Sequence, residues 1–307
     1  MKKLTKKQII IIALAAVLVA AAGILLLSSG GSGTDDGNQK TAEKLEPPKT
    51  TEELMDRAST ELSSVDSFQM DTDMTMKMKS GEETMDVSAL VTCFYKKDAP
   101  VQKLISTMTM GNMGSYSTTT YTEKDGDTYN VYNSVDGGIE WTKETGMTEE
   151  SLPISNPTED IIGFFSDAME YEKGESEEIG GVKTTRYDCV LSAEEMKETL
   201  GDSGFLSQLG GDLSEDTLSE VYEDLDGIEY SVWIGDEDYL PYRLYMDLGN
   251  MMRALSQVSD IGEDQKELMS SLEGVTITYD ISNYNKLEEI EVPKEAKNAK
   301  EAQTSAE

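Results

Sequence analysis

The sequence predicts an α+β fold in which about eleven short antiparallel strands outnumber the helices, with one apolar segment ahead of them. Many runs alternate apolar and polar residues, and the clearest extends from Phe68 to Tyr95. Turn signals such as Asp125-Gly126 and Gly180-Gly181 separate neighbouring runs, which is typical of β-hairpins. Only a few stretches have the period of an amphipathic helix, so we expect the sheet to dominate the fold.

The chain begins with a basic stub and an unbroken apolar run from Ile9 to Leu27. At a rise of about 1.5 Å per residue, the run is about 28 Å long, which is close to the thickness of a bilayer core. Because lysines precede it, residues 1–8 are expected to be cytoplasmic and everything after Leu27 to lie outside. Two interpretations stay open: a transmembrane anchor, which gives a single-pass cell-membrane protein, or a cleaved signal peptide, which gives a secreted one.

Residues 28–49 follow the apolar run and predict a flexible linker. They are rich in Gly, Ser, Asp and Lys and end in Pro47-Pro48, so no packed structure is expected. Leu27-Ser28-Ser29-Gly30 resembles a bacterial lipobox in which Gly30 stands at the position of the lipidated cysteine. Without that thiol no lipid can be attached, and the protein would depend on the helix for its tether.

A helix is predicted next, with Thr50 or Thr51 as its cap and Glu53 in its first turn. Its apolar residues fall on one face at helical spacing: Leu54, Ala58, Leu62 and Val65. The helix leads directly into the Phe68 strand, where apolar side chains alternate with charged or polar ones up to Lys79. After a turn at residues 80–83 the alternation resumes, which predicts a hairpin with one apolar side and one side in water.

The remaining elements follow the same two periodicities. Further strands are predicted near residues 101–110, 116–123, 128–133, 139–141, 171–178, 182–191, 228–234, 240–248 and 275–281. Helices are predicted near residues 156–169, 192–200 and 251–272, residues 201–225 are expected to form a mobile flap or surface excursion, and residues 294–307 a disordered tail. The folded ectodomain is therefore expected to span residues 50–293.

Charge and composition exclude several functional classes. The 307 residues include 26 basic and 60 acidic ones, a formal charge of −34, so the folded part should repel nucleic acid and anionic membranes. The sequence has no histidine, which removes catalytic triads and zinc sites that need an imidazole. We therefore predict no catalytic residue, metal or cofactor, and no enzymatic activity.

Two cysteines, Cys93 and Cys189, both fall on the apolar register of a predicted strand. They could pair across the sheet as a disulfide or remain two buried thiols. An extracytoplasmic location permits the bond but does not require it. Both alternatives stay open at this point.

Two stretches resemble a known family: the hairpin Tyr230-Ser-Val-Trp-Ile followed by Asp238-Tyr-Leu-Pro-Tyr-Arg-Leu, and the closing Tyr279-Asp-Ile-Ser-Asn-Tyr-Asn-Lys with Ile290-Glu-Val-Pro. Together with the order of elements, they resemble the LolA/LppX/LprG superfamily of bacterial envelope lipoproteins, most of all its lipoprotein-like branch in Gram-positive bacteria, over residues 51–293. The resemblance implies a strongly curved antiparallel half-barrel. Its concave apolar face would be plugged by helices, with a lipid or acyl chain held between.

The candidate ligand-binding residues lie on the apolar side of the predicted strands and on the helix at residues 156–169. They are Met70, Met74, Met76, Met78, Val87, Val91, Phe164, Phe165, Leu240, Leu244 and Ile277. Unbranched, polarisable methionines suit a wall that adapts to a flexible acyl chain. We therefore expect a membrane-anchored extracytoplasmic protein that binds a hydrophobic, lipid-like ligand. The alternative is an envelope structural or interaction protein with a closed core and no small-molecule ligand, whose protein partner is unknown.

Overall fold

A computed structural model describes residues 47–80, 83–97, 99, 101–111, 114–135, 138–148, 158, 161–162, 170–191, 227–257 and 271–301. The predicted anchor at residues 9–27, most of the linker and the insert at residues 192–226 lie outside these residues. Within the described part, no helix is long and apolar enough to cross a bilayer.

Twelve strands form one open, curved sheet. They are β1 (Ser67–Ser80), β2 (Glu83–Lys96), β3 (Val101–Met110), β4 (Ser115–Asp125), β5 (Thr128–Val135), β6 (Glu140–Met147), β7 (Glu170–Ile179), β8 (Val182–Leu191), β9 (Ile228–Gly235), β10 (Pro241–Asp247), β11 (Leu272–Ser282) and β12 (Lys300–Glu301). Their order is β12-β6-β5-β4-β3-β2-β1-β11-β10-β9-β8-β7. Neighbours are antiparallel except β12, which runs parallel to β6. The eleven predicted strands are confirmed, and β12 is additional.

The pairing register places the apolar residues of the central strands on one face. Met74 of β1 lies opposite Ala89 of β2 on one side and Ile277 of β11 on the other. Because directly opposed residues of antiparallel strands point to the same face, the alternation predicted for each strand adds up to one continuous apolar surface. The charged residues between them, such as Asp71 and Asp73, point to the opposite face.

Helices α1 (Thr51–Ser63) and α2 (Gly249–Gln257) pack against the apolar face. The Thr50 side chain caps α1 by accepting a hydrogen bond from the Glu53 amide at 3.1 Å, as the sequence predicts. The residues of these two helices that are buried in the main core are Met55, Ala58 and Leu62 of α1 and Met251 and Met252 of α2. Thr158, Ile161 and Ile162 are helical within the helix predicted at residues 156–169, and Ile161 joins the same core.

The C-terminal segment corrects the prediction of a disordered tail, which is wrong for residues 294–301. Lys294–Lys297 form a short helix, α3, and β12 pairs with β6. Val292 and Ala296 are buried in a second cluster on the opposite face of the sheet. The residues that complete this cluster are Val101, Tyr121 and Tyr132, with Trp141 and Ile290 at its margin. Composition alone missed the docking because the tail is stabilised by contacts with strands distant in sequence.

We expect Ala296→Asp to release this tail, because its carboxylate would be buried among apolar and aromatic side chains without a partner. Trypsin should then cleave after Lys294 and Lys297 at least ten times faster, as measured by mass spectrometry of timed digests. Asn298→Asp adds the same charge at an exposed position of the same segment and should leave the cleavage rate unchanged. Equal rates for the two variants would contradict the docked tail.

Candidate functional site

The apolar face of the sheet and the helices that cover it are rich in methionine. The methionines buried in the main core are Met55, Met70, Met74, Met76, Met78, Met110, Met246, Met251 and Met252. Met85 and Met108 are half-buried and pack against the same core. The buried methionines therefore come from several strands and from both helices, α1 and α2.

The structure brings most of the predicted site residues together. Seven of them belong to the main core and are at most 5% exposed: Met70, Met74, Met76, Met78, Val87, Leu244 and Ile277. Val91 is also buried, and Leu240 is half-buried where the chain enters β10. Phe164 and Phe165 lie outside the described residues. The common surface is thus present, while the ligand-binding role of these residues stays a prediction.

Met246, Met251 and Met252 also belong to the main core, although they are absent from the predicted site residues. Met246 lies opposite Ile277 of β11 and Tyr230 of β9, which are both buried in the main core. Met246 alternates in sequence with polar residues, between Leu244 and Leu248, and this pattern could have placed it on the apolar face. Met251 and Met252 gave a weaker signal, because adjacent residues of a helix point about 100° apart and are both buried only where the helix is covered over a wide arc.

The cysteines are two buried free thiols, which resolves the alternative left open by the sequence. Burial raises the pKa of Cys93 to about 12 and that of Cys189 to about 12. The Cys189 thiol also donates to the Tyr187 carbonyl at 3.6 Å. Both groups are therefore protonated near neutral pH and are poor nucleophiles.

We expect iodoacetamide at pH 8 to leave both cysteines unmodified in the folded protein, because the reactive thiolate is scarce below the raised pKa and the side chains are buried. In urea, both should be alkylated within minutes. The mass increase of the intact chain measures the number of modified thiols. Rapid alkylation of either cysteine without denaturant would show that the core is open at that position.

A pocket of about 540 Å³ lies at one end of the apolar face, between the start of α1 and strands β7 to β9. Its apolar wall includes Leu54, Tyr187, Ile234 and Tyr239, all of which belong to the main core or pack against it. Its polar wall includes Lys49, Lys173, Lys183, Thr185 and Asp236. The pocket therefore borders the main core at Tyr187 and Ile234.

Asp236 organises the polar wall of this pocket. Its carboxylate accepts hydrogen bonds from Lys183 Nζ at 2.6 Å and from Thr185 Oγ1 at 2.7 Å. These bonds, with the positive charges of Lys183 and Lys173, lower the pKa of Asp236. The carboxylate is ionised near neutral pH, so it holds the turn after β9 against β8.

The opposite face carries a second pocket, of about 430 Å³, between strands β7 and β10. Six of its ten lining residues are acidic or polar on that face: Glu172, Asp188, Glu229, Ser231, Tyr245 and Asp247. Among the residues that the structure describes, no three acidic, cysteine or histidine side chains are grouped to hold a metal ion. The rest of the lining of this second pocket comes from Tyr171, Cys189, Val190 and Tyr230, of which Cys189 and Tyr230 belong to the main core.

The sequence matches the model of a protein family described as a family of unknown function, DUF6612, over residues 50–301. The match covers the sheet, the described helices and the docked tail. The chain belongs to the DUF6612 family. No curated protein matches it in sequence.

Solved structures similar to this DUF6612 chain include two mycobacterial proteins, the lipoprotein LppX and LprF. LppX of Mycobacterium tuberculosis is 12% identical, with a TM-score of 0.37 over 78% of this chain and 97% of its own. LprF of Mycobacterium bovis is 10% identical, with a TM-score of 0.42 over 80% and 96%. A DUF1329 family protein from Desulfovibrio piger is 10% identical, with a TM-score of 0.24 over 76% and 91%. These neighbours agree with the resemblance noted in the sequence. Since their TM-scores lie below 0.5, these likenesses carry no conclusion about what this DUF6612 chain does.

Proposed function

We propose that this DUF6612 protein is an extracytoplasmic binding protein that holds a hydrophobic, lipid-like ligand against the methionine-rich face of its sheet. The observation that carries the proposal is that Tyr187 and Ile234, which belong to the main core on that face, also line a pocket of about 540 Å³ at its end. A pocket of this volume lies within the usual range of small-molecule sites, roughly 300–1,000 Å³. An apolar chain could enter there and extend along the core.

Methionine is the residue type that best supports entry of a flexible chain. Its side chain is unbranched, so it can change rotamer and make room without leaving a fixed void. Each methylene group transferred from water to such an environment contributes about 0.8 kcal/mol. A chain of about twelve carbons would therefore gain roughly 10 kcal/mol before the costs of ordering and of displacing the methionines.

The proposed extracytoplasmic location is supported by the apolar run near the start of the sequence. The apolar run at residues 9–27 and the lysines before it support a protein that is held outside the membrane by one helix, or is secreted if that segment is cleaved. Binding rather than catalysis is proposed because the sequence has no histidine, the commonest general base, and the described residues of the main core are hydrophobic.

A second candidate is an envelope interaction protein with a closed core. The observation in its favour is that the seven predicted site residues in the main core are at most 5% exposed. A core this well covered could be complete without a ligand. The two candidates differ in whether the interior accepts an apolar molecule.

Native mass spectrometry of the full-length chain in non-ionic detergent tests the proposal. Titration with monododecanoylglycerol, a neutral single-chain lipid, should give a saturable complex of one molecule per chain. The absence of any complex at concentrations up to the solubility limit would overturn ligand binding and favour the closed-core protein.

A further inference from the structure

We propose that the pocket at the end of the apolar face selects an anionic amphiphile, with a carboxylate or phosphate headgroup at its lysines and the acyl chain on the apolar face. This inference rests on the proposed function and adds the chemical class of the ligand. We call the site the lysine pocket and define its cationic part as Lys49, Lys173 and Lys183.

The lysine pocket has the opposite charge to the rest of the molecule. Three lysines and one carboxylate, Asp236, line it, which gives 3 − 1 = +2. The whole chain has a formal charge of −34. A positive site on so acidic a protein concentrates small anions locally, because the field at short range is set by the nearest charges once salt screens the distant ones.

The register of the strands shows that two of these lysines point toward the apolar side of the sheet. Lys173 of β7 lies directly opposite Tyr187 of β8, a residue of the main core. Lys183 precedes Thr185 and Tyr187 by two and four positions in β8, so it shares their face. The face of β8 that carries the core residue Tyr187 therefore carries Lys183 at the start of the strand, and Lys173 of β7 lies on the same side of the sheet.

The apolar wall of the lysine pocket is continuous with the core. Tyr187 and Ile234 are buried members of the main core, and Leu54 and Tyr239 pack against it. An anion bound by Lys173 or Lys183 would thus have an apolar surface directly behind it. Free phosphate could use only the lysines, whereas an amphiphile could use both walls.

The start of α1 contributes less than the lysines. The positive end of the helix dipole favours an anion at Thr50 and Thr51, which line the pocket. However, the Glu53 amide already donates to Thr50 Oγ1, and the Glu53 carboxylate accepts from the Lys49 amide at 2.7 Å. The lysine side chains therefore carry the selectivity.

Native mass spectrometry of the full-length chain in non-ionic detergent can compare dodecyl phosphate, dodecanoate, monododecanoylglycerol and inorganic phosphate. The wild type should bind both anionic amphiphiles at least tenfold more tightly than the neutral lipid, and inorganic phosphate more weakly than either. The double variant Lys173→Met/Lys183→Met should lose this preference and keep its affinity for the neutral lipid within twofold. Lys173→Met alone, which leaves the Lys183–Asp236 ion pair intact, should lose part of it.

The control is Lys97→Met/Lys286→Met, which removes two exposed lysines that do not line the lysine pocket and should keep the preference. Equal affinity of the wild type for neutral and anionic amphiphiles would overturn the inference while leaving the proposed function intact. Binding of inorganic phosphate as tight as that of dodecyl phosphate would reduce the site to a simple anion site and also overturn it. Failure of every amphiphile to bind would instead refute the proposed function.

Discussion

Phe68→Ala should lower the free energy of unfolding by about 3–5 kcal/mol, the usual cost of truncating a fully buried phenylalanine. Phe68 is fully buried at the start of β1. Its ring centroid lies 5.1 Å from that of Tyr95 and 6.2 Å from that of Tyr284. Tyr284 in turn donates a hydrogen bond to the Pro241 carbonyl, so the truncation would loosen contacts among β1, β2 and the start of β10.

Urea unfolding followed by circular dichroism measures this loss. The matched control is Phe94→Ala in β2, where the half-buried ring lies on the opposite face with Lys103 Nζ 5.0 Å from its centroid. That substitution should cost less than about 1.5 kcal/mol. Similar losses for the two variants would show that the apolar face is not the side of the sheet that holds the fold together.

Leu54→Trp should weaken binding of monododecanoylglycerol at least tenfold. Leu54 is half-buried on α1 and lines the lysine pocket, so an indole there would obstruct the path from the surface to the apolar core. The effect on stability should be small, because the new side chain can extend into the pocket volume instead of the packed core. Native mass spectrometry of the titrated chain gives the affinity.

The control for this variant is Leu90→Trp. Leu90 is 45% exposed and lies on the opposite face of β2, opposite Asp73 of β1. It receives the same change of side chain without approaching the pocket, and its affinity should equal that of the wild type. If Leu54→Trp binds as tightly as Leu90→Trp, the ligand does not pass through this pocket.

The strands could be predicted because their signal is local. In β1 the apolar residues recur at every second position from Met74 to Met78, and β11 does the same from Val275 to Ile281. One buried face and one exposed face require this alternation, so the face that each residue occupies follows from its position. The Thr50 cap of α1 is also local, since it depends on residues three apart.

The docked tail and the lysine pocket could not be predicted, because each depends on contacts between distant residues. Ala296 is buried because Tyr121 and Tyr132, which lie far from it in the sequence, form an apolar patch with Val101 on the face opposite the main core. In β7, the pairing register shifts between Lys173 and Ser176. This shift interrupts the alternation of the strand, which would otherwise have shown that Lys173 lies on the apolar side. From sequence alone, the many charged residues of β7 indicate a solvent-exposed edge strand.

The central claim is that the apolar face accommodates a hydrophobic ligand. Its most direct test is the intact mass of the full-length chain extracted from its own membranes in mild detergent and measured under native conditions. We predict a second species, heavier than the chain by the mass of one lipid-like molecule, that disappears on denaturation. A single species at the mass of the chain alone, in preparations that also fail to take up added monododecanoylglycerol, would contradict the claim.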